Sequence, residues 1–80
     1  MRIGTVIGKL ELSRSAPGFE DVAWIQVRLE KETTVAADLV GTSPEQLVLL
    51  AEGEAAKRYR MDICADTIVA AVLAESGNNG

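Results

Sequence analysis

Hydrophobic and polar residues alternate along most of this chain with the period of two that marks half-buried strands. The clearest run is Val22 to Glu30. Ala23, Ile25, Val27 and Leu29 point one way, and Trp24, Gln26, Arg28 and Glu30 the other. Met1 to Leu12 reads as a longer strand whose phase slips. Met1, Ile3 and Ile7 share one parity, while Val6, Leu10 and Leu12 share the other. The slip falls around Gly8 and predicts a bulge or a sharp coil, as a small barrel requires. Gly4 and Gly8 are also places where another backbone is expected to approach closely. Thr33 to Val40 forms a third strand and Gln46 to Glu52 a fourth. Leu47-Val48-Leu49-Leu50 is apolar on both faces, so its outer side must be covered by another element or by a neighbouring subunit. Asp66 to Ala74 tolerates helix or strand, because Ala and Leu suit both. Ile68, Val69 and Val72 tilt it towards a fifth strand.

The breaks between these runs carry their own signals. Ser13 to Asp21 is a loop with a Pro17-Gly18 turn, and Phe19, the one Phe in the chain, is expected to anchor it on the barrel. Glu30-Lys31-Glu32 is a short charged hairpin connection. Thr42-Ser43-Pro44 is a turn, with Pro44 fixing its own φ and pushing Ser43 towards an extended shape. Asp38, an acid at the end of an apolar run, is expected to cap this turn by accepting hydrogen bonds from backbone N–H groups. Gly53 breaks the fourth strand, and Glu54 to Tyr59 predicts one short Ala-rich helix with Glu54 four residues before Arg58. Lys57, Arg58 and Arg60 then form a basic cluster, read as a solvated helix end rather than an anion or partner contact. Trp24, on the polar face of its strand, either marks an interface or covers the barrel end. Five short strands and one helix predict an all-β fold, a small closed five-stranded OB-like β-barrel. Residues 1–75 are expected to form the barrel domain, and 76–80 a flexible C-terminal tail.

Composition sharpens this picture. Eighty residues make one domain at most, and such a chain buries only about 60% of its unfolded surface. Yet 48% of the residues are hydrophobic and only 4% aromatic. That surplus of Ala, Val, Leu and Ile predicts a subunit interface, with scattered surface alanines as the alternative. The net charge of −4 argues against nucleic acid and against an anionic membrane surface. No apolar run is long enough for a transmembrane helix, and the alternating N-terminus lacks a signal peptide's core. A cytoplasmic setting is the expectation. Cys64, the single cysteine, has no partner for an internal disulfide and reads as a small buried hydrophobe.

Catalytic chemistry is hard to assemble from these residues. The chain has no His, which removes Ser-His-Asp and Cys-His arrangements and His-containing zinc sites. There is no P-loop, and Gly4 and Gly8 are too widely spaced for a dinucleotide-binding fingerprint. The sequence therefore predicts no enzyme, no cofactor and no metal.

Four segments, in order, resemble the EutN/CcmL family of pentameric bacterial microcompartment vertex proteins. MRIGTVIGKLELSR is similar to the family's opening IG-x-V-x-G-x-L-x-x-S-R, and Pro17-Gly18 falls at the family's loop. VAADLVGTSPEQLVLL is similar to VAVD-x-VGAGPGEWVLV, and GEAAKRYRMDICADTIVAAVLA to the family's closing segment. Two departures stand out. Glu45-Gln46 replaces a frequent Gly-Glu after the turn, which bears on turn geometry. Gly53-Glu54-Ala55 replaces Gly-Ser-Ser, which puts a carboxylate where the family has a hydroxyl. The resemblance implies a structural role: a cyclic homopentamer of OB-like barrels that seats among hexameric shell proteins and closes the shell around encapsulated enzymes. It places Ser13 and Arg14 at the rim where hexamers dock, and Gly53, Glu54, Ala55 and Ala56 along the five-fold axis. Leu47, Leu49 and Ala55 are the expected subunit interface. The competing reading, an OB-type module for oligonucleotides or another ligand, would need a basic groove with stacked aromatics, which this acidic chain lacks.

Overall fold

A computed structural model describes residues 1–17, 19–54, 56 and 65–74. Five strands form in the expected order: β1 (Arg2–Leu10), β2 (Ala23–Arg28), β3 (Thr33–Asp38), β4 (Leu47–Glu52) and β5 (Thr67–Leu73). They close into a barrel in the spatial order β1-β2-β3-β5-β4. Every neighbouring pair is antiparallel except β3 with β5, which run parallel through Ala37 opposite Ile68 and Asp38 opposite Val69. Closure leaves the small sheet without two long open edges.

The alternation read from the sequence sorts side chains as the barrel needs. Val6, Ile25, Val27, Leu29, Ala36, Val48, Leu50 and Val69 fill the interior. Each fully buried aliphatic side chain contributes about 1.5–3 kcal/mol, so this cluster is the main source of stability. The phase slip in β1 is a bulge: Val6 pairs with Val27 and Gly8 with Gln26, leaving Ile7 as the extra residue. Of the two glycines expected to permit close approach, only Gly4 does so. A Cβ there would collide with Val27 Cγ1 and press on the Arg28 carbonyl oxygen and Leu29 Cδ2. Gly8 has nothing within 4 Å of that position, so its place follows from the bulge rather than from crowding.

A second, smaller cluster sits on the outside of the barrel. Ala37, Ala51, Ala56 and Ile68 are buried together, with Val22, Trp24, Leu39, Ala65 and Ala70 packed around them. Glu54 and Ala56 adopt helical backbone after the Gly53 turn, so the start of the expected helix covers this patch. The rest of that helix lies outside the described residues, as do Lys57, Arg58, Arg60, Cys64 and the tail 76–80.

All five strands are shorter than their sequence patterns. β1 covers Arg2–Leu10 rather than Met1 to Leu12, β2 Ala23–Arg28 rather than Val22 to Glu30, and β3 stops at Asp38 rather than Val40, while β4 starts one residue later and β5 loses one residue at each end. Asp38 itself ends β3. Its Oδ1 accepts from the N–H groups of Val40 (3.1 Å) and Gly41 (2.8 Å), and its Oδ2 from the N–H and hydroxyl of Thr42 (2.8 and 2.9 Å). These bonds turn the chain away from the sheet, as expected of a capping acid. At the opposite end, the exposed Arg2 guanidinium grips Glu52 through Nε (2.9 Å) and Nη2 (2.6 Å), and Glu32 through Nη1 (2.8 Å). One side chain thus joins β1, β4 and the β2–β3 connection.

Candidate assembly surfaces

Strand register gathers several outward side chains into one face. Ile3 lies opposite Leu49, and Leu49 opposite Ala71. Thr5 lies opposite Leu47, and Leu47 opposite Leu73. These two rows cross β1, β4 and β5 on the side away from Val48 and Leu50, which are fully buried. Ile3 is 60% exposed, and Leu47 and Leu49 are half-buried. None of the six residues is charged, in a chain where 25% of residues are. Loss of charge at the centre of a patch is the compositional mark of a protein interface. The next outward row on β1–β2–β3 differs: Arg28 pairs with Thr5 and Thr33, and Gln26 with Gly8 and Val35.

The residues expected at other contacts fall elsewhere. Ser13 and Arg14 are exposed on the loop between β1 and β2. They line a cleft of about 530 Å³ together with Leu10, Leu12, Asp21 and Trp24. Phe19 organises the far side of this loop. Its N–H donates to the Ala16 carbonyl (3.3 Å), and its own carbonyl accepts from Val22 N–H (3.4 Å) and Trp24 Nε1–H (2.9 Å). The Phe19 and Trp24 rings stack with centroids 5.6 Å apart at 26°. Phe19 anchors the loop as expected, and Trp24 is committed to that anchor and to the outer cluster.

At the end of β4, Gly53 and Glu54 are exposed, with Gly53 at φ +59. Ala56 turns inward to the outer cluster, and Ala55 is outside the described residues. The face of Leu47 and Leu49 and the turn of Gly53 and Glu54 therefore share one strand, while Ser13 and Arg14 belong to a separate loop. Ile3 was not singled out by its sequence. Only the β1–β4 register shows that it completes the row of Leu49.

The electrostatics are those of structural acids. Partial burial works to raise the pKa of Asp38, but the bonds from Gly41, Thr42 and Val40 outweigh it and hold the carboxyl below its ordinary value. The hydrogen bond from Arg2 holds the Glu52 carboxyl low against a smaller effect of burial. Among the described residues no group of three or more His, Cys, Asp or Glu is placed to hold a metal ion.

The turn before β4 carries the one non-Gly residue with positive φ among those described, Glu45 at +76. It is held by its N–H donating to the Val6 carbonyl (2.8 Å) and by Val6 N–H donating to the Gln46 carbonyl (2.9 Å). Glu45 stands where the sequence pattern of the resembled family has Gly, and the left-handed backbone accounts for that preference.

Solved structures share this architecture. CcmL of Gloeobacter violaceus is 27% identical, with a TM-score of 0.82 over 91% of this chain and 84% of that one. CcmL of Nostoc sp. PCC 7120 is 25% identical, with a TM-score of 0.80 over 91% and 88%. GrpN of Rhodospirillum rubrum, described as a pentameric microcompartment shell protein, has the same fold at 20% identity, with a TM-score of 0.79 over 92% and 94%. No curated protein sequence matches the chain. The sequence model described as Ethanolamine utilisation protein EutN/carboxysome matches residues 1–73, nearly the whole chain, and the protein belongs to this EutN/CcmL family.

Proposed function

We propose that this protein is a structural shell subunit, a homopentamer that caps the five-fold vertices of a bacterial microcompartment in the cytoplasm. The observation that carries the reading is the family match over residues 1–73 on a closed five-stranded barrel. The uncharged face of Ile3, Leu47 and Leu49 supports it, because a ring needs an interface on the outside of each barrel. Subunits in a ring meet head to tail, so this face packs against a different face of the next copy, and the rotation closes at five. The role is not catalytic. A flat layer of hexagonal tiles cannot close, and a pentagonal unit supplies the curvature that it lacks.

In this assembly the Ser13–Arg14 loop meets the neighbouring hexameric tiles, with Arg14 donating to backbone carbonyls on the tile. Arg14→Ala is expected to weaken capping while the pentamer stays intact, read by mixing the protein with hexameric tiles and scoring closed shells. Unchanged closure would remove Arg14 from the contact. The exposed turn of Gly53 and Glu54 surrounds the five-fold axis, and five copies of Glu54 make a negative ring that disfavours anions. Mutual repulsion then destabilises the ring, most strongly at low ionic strength. Glu54→Gln should raise the dissociation temperature of the pentamer at low salt and have a smaller effect at about 1 M salt. An effect independent of salt, or no effect, would place Glu54 away from its symmetry mates.

A further inference from the structure

We infer that Phe19 and Trp24 act as a latch that sets the position of the Ser13–Arg14 loop for its contact with shell tiles. The inference rests on the vertex reading above and adds positioning residues to it. The loop from Glu11 to Pro17 is exposed along its whole length, so the surface beneath it supplies little restraint. Its return leg is tied down at Phe19. Phe19 closes a turn back to Ala16, starts the next turn to Val22, and receives the indole N–H of Trp24 on its carbonyl. The stacked rings add a flat contact that resists sliding.

Trp24 links this latch to the rest of the assembly. It packs on the outer cluster of Ala37, Ala51, Ala56 and Ile68, whose Ala56 lies two residues after Glu54. The rim loop and the axial turn are therefore seated on the same small patch of apolar side chains. A contact that depends on one loop arginine needs that loop held in advance, because ordering it on binding would cost affinity. The latch supplies this order from inside the subunit.

The test compares Phe19→Ala and Phe19→Tyr with the unaltered protein, as assembled full-length chains. Three readouts are taken: tryptic cleavage after Arg14, acrylamide quenching of Trp24, the one Trp in the chain, and shell closure with hexameric tiles. Phe19→Ala is expected to speed cleavage after Arg14 on the order of tenfold, since the stack no longer holds the loop closed. It should also raise quenching and reduce closure as Arg14→Ala does, with the oligomer mass unchanged. Phe19→Tyr keeps the ring and should restore all three. Unchanged cleavage and quenching in Phe19→Ala would overturn the latch. Faster cleavage with unchanged closure would overturn its positioning role. If the unaltered protein fails to close shells while cleavage and quenching respond as expected, the vertex reading falls and takes the positioning role with it, and only the local latch stands.

Discussion

At the scale of single residues, the chain is shaped by side chains that redirect the backbone. Asp38 is the clearest case, with one carboxylate satisfying three backbone N–H groups and a hydroxyl in the turn that follows β3. Removing it in Asp38→Ala leaves those donors to water and is expected to cost about 1–2 kcal/mol, measured by denaturant unfolding at pH 7. The pH dependence has a definite sign. The folded-state pKa of Asp38 is depressed, so its contribution is complete above the unfolded value of about 3.9 and is lost as pH falls through the folded value. The difference between Asp38→Ala and the unaltered protein should therefore shrink below about pH 4. A difference that persists undiminished at pH 2 would assign the effect to packing. The capping role was legible because an acid followed by Gly and Thr at the end of an apolar run has few other uses. The strain at Glu45 was less so: its sequence context marks a turn, but φ +76 follows from the pairing of Glu45 and Gln46 with Val6, a residue 39 positions earlier.

At the scale of elements, alternation located β1 with its bulge and β2, because one face of each strand must fill the barrel, whereas β4 showed as a run apolar on both faces and β5 through its β-branched residues. The strand ends were set by other forces, the Asp38 cap among them, and so fell short of the pattern. Register between distant strands was not legible. Leu47 and Leu49 stood out in the sequence because their strand is apolar on both sides, whereas Ile3 became part of the same face only through the β1–β4 pairing. Ile3 offers the cleaner probe, since at 60% exposure it contributes little to the barrel interior. Ile3→Asp places a charge at the centre of the proposed interface. It is expected to dissociate the ring into folded monomers, seen as a drop in sedimentation coefficient with the β-sheet circular dichroism retained. A ring that survives Ile3→Asp would move the interface off this face. The loop latch also escaped the sequence in part. Phe19 was expected to anchor its loop, but the choice of Trp24 as its partner depends on the outward parity of β2 and the path of the return turn.

At the scale of the whole molecule, a barrel of this size has little interior to spare, and the hydrophobic residues left over define how it is used. Among the described residues, the 12 of the buried hydrophobic core are drawn from both the interior and the outer patch, while Ile3, Val35 and Val72 among others stay exposed. Composition alone pointed to an assembly, and family membership gives that assembly a form. The central claim is that the chain works as a closed ring of five. Native mass spectrometry of the purified protein at micromolar concentration tests it most directly. The account predicts one dominant species with the mass of five chains, unchanged on modest dilution. A stable monomer, or a ring of any other number, would contradict it.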